Sequence, residues 1–186
     1  DSLVPFLDGT PNTVPARLAL AYKLKLAAEP RRLLVADRLE KWLGKGQGRR
    51  AVVGARSKVR VNLGKLGLAD LEPLRGLPID ELDVWETRRQ QGDVSSNRIT
   101  SLKPLLGMRL TYLNIDGSEV TDLSPLTGMP LEYLNINWCK VSDLSPLRGA
   151  PIRWIYASEN QASDFTPLLG APIVEAILNG CPFLTN

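Results

Sequence analysis

The chain has 186 residues, of which 44% are hydrophobic, and a formal net charge of +3 at pH 7. This length and composition are typical of one packed domain with or without an appendage. The sequence contains no histidine, which excludes Ser-His-Asp and Cys-His catalysis and histidine-based zinc sites. Its two cysteines are too few for a tetrathiolate site. We therefore expect no cofactor, no metal and no enzyme activity.

The charge is distributed unevenly along the chain. Residues 1–65 carry 14 basic and 5 acidic side chains, whereas residues 66–186 carry 9 basic and 15 acidic side chains. A basic segment favours anionic ligands, including nucleic acid. No recognised nucleic-acid motif accompanies this charge, so nucleic acid stays the alternative to the protein partner that is predicted below.

Two further features bear on the compartment. No apolar run reaches the ~18 residues that a membrane-spanning helix needs, and no signal-like leader opens the sequence. Cys139 and Cys181 lie 42 residues apart, at equivalent places of repeats about 10 Å apart, which is too far for a disulfide. These features favour a cytoplasmic protein without a membrane span, and we expect a monomer.

The first 58 residues are predicted to form a basic cap built on two helices. Residues 1–15 contain three prolines and indicate an arm. Residues 16–28 are rich in Ala, Leu and Lys and favour a helix, although their apolar alternation also fits a strand. Residues 30–43 place apolar side chains on one face of a second helix, which Gly44 ends.

A glycine-rich basic segment, GKGQGRR at residues 44–50, follows the predicted helices. Glycine amides with flanking cations can cradle a phosphate. The spacing of a phosphate-binding P-loop is not met, and no strand plainly precedes the segment. It is therefore interpreted as a flexible basic linker.

The second half of the chain repeats one phrase five times. Its copies are DLEPLRG at 70–76, SLKPLLG at 101–107, DLSPLTG at 122–128, DLSPLRG at 143–149 and DFTPLLG at 164–170. The last three start 21 residues apart. A fixed period of this length predicts a solenoid whose stacked coils share one core.

Each repeat also contains a short stretch that alternates between apolar and polar residues. These stretches, residues 112–116, 133–137 and 154–158, fall in register on the 21-residue frame. Alternation with period two predicts strands, with the leucines and isoleucines facing the core. A small or amide side chain follows in each coil, at Ser118, Cys139, Asn160 and Cys181.

The pattern over residues 59–186 resembles the leucine-rich repeat, in a short bacterial form with the return segment DLSPLxGMPL that is related to internalin-like repeats. The resemblance implies an α/β fold. It would be a right-handed solenoid with about six parallel strands on a concave face and a 3₁₀ or extended convex side. Proteins with such repeats often carry a signalling domain beside them, so a fragment of such a protein is consistent with the sequence.

One coil is 10 residues longer than the others. The extra residues lie in the polar segment 86–98, which predicts a loop at the rim of the sheet. Arg88, Arg89 and Arg98 in this segment are interpreted either as rim contacts with a partner or as solvated charges.

The outward positions of the predicted strands form columns of like residues. Tyr112, Tyr133 and Trp154 share one column, and side chains in a column lie about 4.8 Å apart. Aromatic residues bordered by amides and carboxylates are typical of interface hot spots. The predicted partner-binding residues are Asp83, Trp85, Tyr112, Asn114, Asp116, Tyr133, Asn135, Asn137, Trp154 and Tyr156. The aromatic rings could instead serve only to stiffen the sheet, or could be covered by the cap.

Three functions remain open on these grounds. The first is a non-catalytic module that binds another protein on its concave face. The second is binding of an anion or nucleic acid through the basic amino-terminal segment. The third, an enzyme acting on carbohydrate through two carboxylates, would have to use Asp83 and Asp116, the pair on the inner face that merits a test.

Overall fold

A computed structural model describes residues 28–85 and 98–182. Within these two ranges, one α-helix, α1, is followed by seven strands that form a single sheet. The bounds are α1 Ala28–Leu43, β1 Ala51–Val53, β2 Val59–Asn62, β3 Glu81–Asp83, β4 Tyr112–Asn114, β5 Tyr133–Asn135, β6 Trp154–Tyr156 and β7 Glu175–Ile177. No described helix is long and apolar enough to cross a membrane.

The strands β2 to β7 are parallel and pair in sequence order. Leu113, Leu134 and Ile155 stand opposite one another, so successive coils stack in register. The predicted parallel solenoid with about six strands is therefore confirmed. Parallel strands need a return connection, and in the coils from β4 to β7 this return contains only a short 3₁₀ turn.

The return segments contain one 3₁₀ turn each, which is one of the two forms that the resemblance to leucine-rich repeats implied. The turns are Glu72–Leu74, Lys103–Leu105, Ser124–Leu126, Ser145–Leu147 and Thr166–Leu168. In one of them, Oδ1 of Asp122 accepts the backbone N–H of Ser124 at 2.7 Å. This hydrogen bond lowers the pKa of Asp122. Gly128 then closes the turn with φ +73°, a conformation that glycine adopts without strain.

One continuous core runs through all the coils. Its inward leucines, isoleucines and valines are almost completely buried. Beside them lies the predicted column of small side chains, and Asn160 is its most highly connected member. Its Nδ2 donates to the backbone carbonyl of Ile136 at 2.7 Å, and its Oδ1 accepts the N–H of Val141 at 3.0 Å.

The two cysteines belong to the same column and are free and buried, as expected. The Sγ atom of Cys139 lies 3.2 Å from Oγ of Ser118, and Sγ of Cys181 donates to the carbonyl of Ala157 at 3.0 Å. Burial raises the pKa of Cys139 to about 12, so this thiol stays protonated and unreactive at neutral pH.

The cap contains a strand that the sequence analysis missed. Helix α1 is where the second predicted helix was expected, and it packs on the amino-terminal end of the sheet with Val35 and Leu39 buried. Strand β1 pairs antiparallel with β2 and so extends the repeat sheet into the cap. Arg31 of α1 pairs with Asp80 at 2.7 Å, and Asp80 also accepts the N–H of Val59.

The glycine-rich segment is a folded turn and not a flexible linker. Glu40 accepts the N–H of Gly46 at 2.6 Å and that of Gly48 at 2.8 Å. A 3₁₀ turn, Gln47–Arg50, then leads directly into β1. The linker prediction was wrong because it treated the glycines as free, whereas a carboxylate of the preceding helix binds their amides.

Several predictions fall outside the described residues. These are the arm at 1–15, the helix at 16–28 apart from its last residue, and most of the insertion at 86–98 with Arg88 and Arg89. Arg98 is described and exposed, and its backbone N–H donates to the carbonyl of Leu68 at 2.6 Å. The division into a cap at 1–58 and repeats at 59–186 stays a prediction.

Candidate functional site

The strand register brings the predicted aromatic residues onto one surface. Tyr112, Tyr133 and Trp154 occupy equivalent positions of β4, β5 and β6 and are direct neighbours in the sheet. Asn114, Asn135 and Tyr156 form the next column in the same way. We call the solvent-facing side of β3 to β6 the sheet face; its residues are Asp83, Trp85, Tyr112, Asn114, Asp116, Tyr133, Asn135, Asn137, Trp154 and Tyr156.

Three tyrosines of the sheet face form a continuous stack. The rings of Tyr112 and Tyr133 lie 4.2 Å apart with an angle of 11° between their planes. The ring of Tyr156 continues the stack at 5.5 Å from that of Tyr133, tilted by 40°. Because the faces of Tyr112 and Tyr133 contact each other, this pair presents ring edges and hydroxyl groups to solvent.

The other aromatic faces of this surface carry cations from the chain itself. The guanidinium of Arg60 lies 5.1 Å from the centre of the Tyr112 ring and therefore covers the end of the stack. Lys65 lies 4.7 Å from the centre of the Trp85 ring. Gly64 leaves room for that indole, since a Cβ atom there would be 2.8 Å from its Nε1.

Asp83 lies at the floor of the sheet face beside the tyrosine stack. It is 5% exposed, and its carboxylate is 3.5 Å from the guanidinium of Arg60. Burial raises the pKa of Asp83, although the backbone N–H of Trp85 and the charge of Arg60 act in the opposite direction. Ionised Asp83 is therefore a buried charge that the fold compensates only in part.

The asparagine side chains of the sheet face also form hydrogen bonds with the backbone. Oδ1 of Asn135 accepts the N–H of Asn137 at 3.0 Å, and Oδ1 of Asn114 accepts that of Asp116 at 3.2 Å. Oδ1 of Asn137 accepts the N–H of Ser158 in the next coil at 2.7 Å. These bonds end each strand and fix the side chains at the carboxyl edge of the sheet.

The tyrosine hydroxyls remain neutral over the physiological range. Burial raises the pKa of Tyr112 and, more strongly, that of Tyr133, whose neighbour Tyr112 adds to the effect. The pKa of Tyr156 is raised as well, first by desolvation and then by the carboxylate of Glu175. The stack therefore offers neutral hydroxyl groups, which can both donate and accept hydrogen bonds.

One exposed aromatic residue next to this surface was missed by the sequence analysis. Trp138 directly follows Asn137 and is 43% exposed. Its φ of 57° is left-handed, which is rare for a bulky residue. The sequence carried a partial signal, because Gly117 and Gly180 occupy the same position of other coils, although Lys65 and Glu159 adopt the same left-handed conformation there.

Several of the described basic residues of the cap form contacts within the fold. Lys58 pairs with Glu81 at 3.7 Å, and Arg50 donates to Gln47 and to the carbonyl of Asn62. Glu40 already binds the glycine amides that could have cradled a phosphate. These contacts weaken the alternative of an anion site in the cap.

Asp83 and Asp116, the two carboxylates considered for catalysis, are not paired with each other across neighbouring strands. Asp83 pairs with Asn114, and Asp116 lies two residues beyond that position, past the end of β4. In the described residues, no group of three or more histidine, cysteine, aspartate or glutamate side chains could hold a metal ion.

Solved structures of similar shape identify the fold. Internalin C2 from Listeria monocytogenes is 20% identical over 80% of this chain and 74% of its own, with a TM-score of 0.51. The fold is a leucine-rich-repeat solenoid with an N-terminal helical cap. A second internalin (inlF) from the same bacterium is 22% identical over 62% of this chain and 46% of its own, with a TM-score of 0.42.

The resemblance of this leucine-rich-repeat solenoid to internalin C2 concerns the fold alone, given the 20% identity. No protein-family model matches the chain, and no curated protein sequence matches it. The short 21-residue repeat subtype that the sequence indicates stays a prediction.

Proposed function

We propose that this leucine-rich-repeat solenoid is a non-catalytic protein-interaction module and that its sheet face binds the partner. The observation that carries the proposal is the stack of Tyr112, Tyr133 and Tyr156 across three adjacent strands. Tyrosine is enriched in binding hot spots because its ring is large and rigid and its hydroxyl group forms hydrogen bonds.

The chemistry of the sheet face favours a protein over a carbohydrate. Sugar rings bind to open aromatic faces, but here the faces of Tyr112 and Tyr133 contact each other and that of Trp154 lies 4.9 Å from the guanidinium of Arg153. The face offers hydroxyl groups, amides and the buried carboxylate of Asp83 instead. Backbone and side-chain groups of a peptide can pair with such a mixture.

The size of the surface limits the affinity. Six parallel strands span about 25 Å, which is enough for a short extended segment or a small domain surface. We expect an interface at the small end of the usual range and a Kd in the micromolar region.

The test begins with a displayed library of random peptides, which is selected for binding to the purified chain. A peptide is kept if it binds the purified chain in solution, and its Kd is then measured for Y133A/W154A. Removing two aromatic anchors is expected to raise Kd at least tenfold. Circular dichroism and a thermal melt confirm that the variant is folded.

The matched control removes two exposed leucines from the return segments. Leu106 is 58% and Leu169 is 79% exposed, and both lie away from the sheet face. L106A/L169A should leave Kd unchanged. If the folded Y133A/W154A variant binds as the wild type does, the sheet face is not the binding surface.

Salt separates this proposal from the anion alternative. Binding through counterion release from a nucleic acid falls steeply as salt rises, whereas an aromatic and hydrogen-bonded interface weakens only slightly. We therefore expect the Kd of the selected peptide to change less than about threefold between 50 and 200 mM salt.

A further inference from the structure

Strand β7 lies at the end of the sheet, and its outer edge has no neighbour in the described parts of the chain. The backbone N–H of Glu175 donates to the carbonyl of Arg153 at 3.1 Å. The carbonyl of Ile177 accepts the N–H of Ala157 at 2.8 Å. Because alternate residues of a strand bond to opposite sides, Ala176 directs its own N–H and carbonyl to the outer edge.

Two more backbone groups at this edge lack the bond that their equivalents form in the preceding coil. The N–H of Leu178 lies one repeat after that of Ala157, which donates to the next coil. The carbonyl of Val174 lies one repeat after that of Arg153, which also bonds to the next coil. Neither the N–H of Leu178 nor the carbonyl of Val174 has a partner among the hydrogen bonds of the described residues.

The side chains at this end are apolar and exposed. Ile173 is 38% exposed, whereas the equivalent residues of the three preceding coils are completely buried: Leu110, Leu131 and Ile152. Val174 is 62% exposed at a place where those coils have threonine, glutamate and arginine. Ile177 stands where they have asparagine or tyrosine. Apolar residues that replace polar ones around an open edge indicate that this end is covered by another chain.

The unpaired backbone groups of this edge are complementary to themselves. Val174 precedes Ala176 by two residues, and Leu178 follows it by two. When two β7 strands pair antiparallel about a two-fold axis at Ala176, the N–H of each Leu178 meets the carbonyl of the other Val174. The two alanines then exchange both of their backbone bonds. A second copy of the chain therefore satisfies the groups that the described residues leave unpaired.

The side chains of β7 suit this symmetric pairing. Ala176 is small where β3 to β6 have leucine or isoleucine, so two such side chains fit beside the axis. Glu175 would lie opposite Ile177 of the second copy, so no carboxylate directly faces another. The sheet already has an antiparallel neighbour at its other end, where β1 pairs with β2.

We propose that two copies of this chain associate through β7 as an antiparallel pair centred on Ala176. This inference goes beyond the proposed function and replaces the monomer that the sequence led us to expect. The two-fold axis is perpendicular to the sheet, so both sheet faces lie on the same side of one continuous sheet. A partner with two equivalent binding segments would then bind both copies at once.

Sedimentation equilibrium of the whole chain tests the association. We expect the average mass to rise from that of one chain, 20.5 kDa, towards twice that value as the concentration rises from about 5 to 500 μM. The interface is small, so a dissociation constant of ~10–100 μM is expected. A mass that stays at that of one chain rejects the second copy as the occupant of this edge. A mass that grows beyond the dimer also overturns the proposal, since a two-fold contact closes.

A176P separates association from folding. Proline removes the N–H of Ala176, which points away from β6, and an edge strand tolerates proline there. We expect A176P to keep the circular dichroism spectrum of the wild type and to remain a monomer. The matched control A176S keeps both the N–H and a small side chain, so it should associate as the wild type does. Association of folded A176P with wild-type affinity would assign the contact to another surface and overturn the proposal.

V174E is a second variant that does not depend on proline. Glu132 occupies the equivalent place in the coil of β5, so the fold accepts glutamate there. The added charges at the junction should raise the dissociation constant of the dimer at least tenfold. L106E changes an exposed leucine of a return segment and should leave it unchanged. Equal association of wild type and folded V174E would reject β7 as the contact.

Amide hydrogen exchange followed by NMR reports the register. At the higher protein concentration, the N–H groups of Ala176 and Leu178 should exchange about fivefold more slowly than in the monomer. The N–H of Glu175 already donates to the carbonyl of Arg153 and should change little. Slower exchange on β1 or the return segments, with Ala176 and Leu178 unchanged, would contradict the pairing. None of these outcomes bears on the sheet face, which the peptide titration tests separately.

Discussion

Replacing Asn160 by alanine tests how the coils are held together. Oδ1 of Asn160 accepts the N–H of Val141, and Nδ2 donates to three backbone carbonyls, those of Ile136, Ala157 and Ser158. The side chain joins two successive coils, because Val141 and Ile136 precede it by about one repeat. Asn160 is 4% exposed, so water cannot replace these bonds without entering the core.

The effect of N160A on the free energy of unfolding depends on which backbone groups lose all of their hydrogen-bond partners. The carbonyl of Ile136 still accepts the N–H of Cys139, that of Ala157 still accepts Sγ of Cys181, and that of Ser158 still accepts the N–H of Trp138. The backbone N–H of Val141 has no such second partner among the bonds described. One orphaned N–H costs about 1–3 kcal/mol, and the vacated volume adds about 1 kcal/mol.

We therefore expect N160A to lower the free energy of unfolding by about 2–4 kcal/mol. Equilibrium unfolding in urea measures this as a lower midpoint at an unchanged slope. N160C is the matched control, since a cysteine fills the same slot at two other coils, and it should cost about half as much. A loss below about 1 kcal/mol for N160A would refute the view that this amide ties neighbouring coils together.

Two further predictions concern charged groups. R31L removes the guanidinium that pairs with Asp80 at the junction of cap and repeats, where the two side chains are 11% and 13% exposed, so the free energy of unfolding should fall by about 2–3 kcal/mol. R32L, which breaks an exposed pair, is the control and should cost less than about 0.5 kcal/mol in the same urea titration. D83N should raise the urea midpoint at pH 7, because the pKa of Asp83 is raised in the fold and its ionised form therefore costs stability. That gain should fade as the pH falls through the folded pKa and vanish below the ordinary aspartate value of ~3.9; a gain independent of pH would contradict this cause.

Much of the solenoid could be predicted from the sequence because the repeats carry the same information several times. The 21-residue spacing and the period-two alternation fix which side chains face the core, and the same spacing alone places Tyr112 beside Tyr133. The return segments could be located for the same reason, although the 3₁₀ and the extended form both stayed open. Each Asp, Pro and Gly of the phrase has a local conformational role.

The errors lie where the chain does not repeat. Strand β1 is only three residues long, and its pairing with β2 depends on a hairpin in which Arg56 and Ser57 have left-handed backbone conformations. Arginine and serine do not indicate that conformation in the sequence. The turn at 44–50 depends on Glu40, a residue of the preceding helix. Trp138 was overlooked because the alternation places it outside the strand, although its glycine neighbours reveal the conformation.

Whether stacked aromatic faces attract or exclude a partner could not be derived from spacing alone. The columns put Tyr112, Tyr133 and Trp154 in line, but ring orientation depends on side-chain torsions and on cations such as Arg60 and Arg153. These contacts decide that the face offers edges and hydroxyl groups. Under the proposed function, that difference favours a peptide over a sugar ring as the ligand.

The most direct test of the interaction surface is an NMR footprint. Backbone amide signals of the ¹⁵N-labelled chain are assigned and followed while the selected peptide is added to saturation. We predict that the largest changes fall on β4 to β6 and on the residues that follow them, with the return segments unchanged. Changes concentrated on the 3₁₀ returns or on α1, with the signals of Tyr112, Tyr133 and Tyr156 unmoved, would contradict binding at the sheet face.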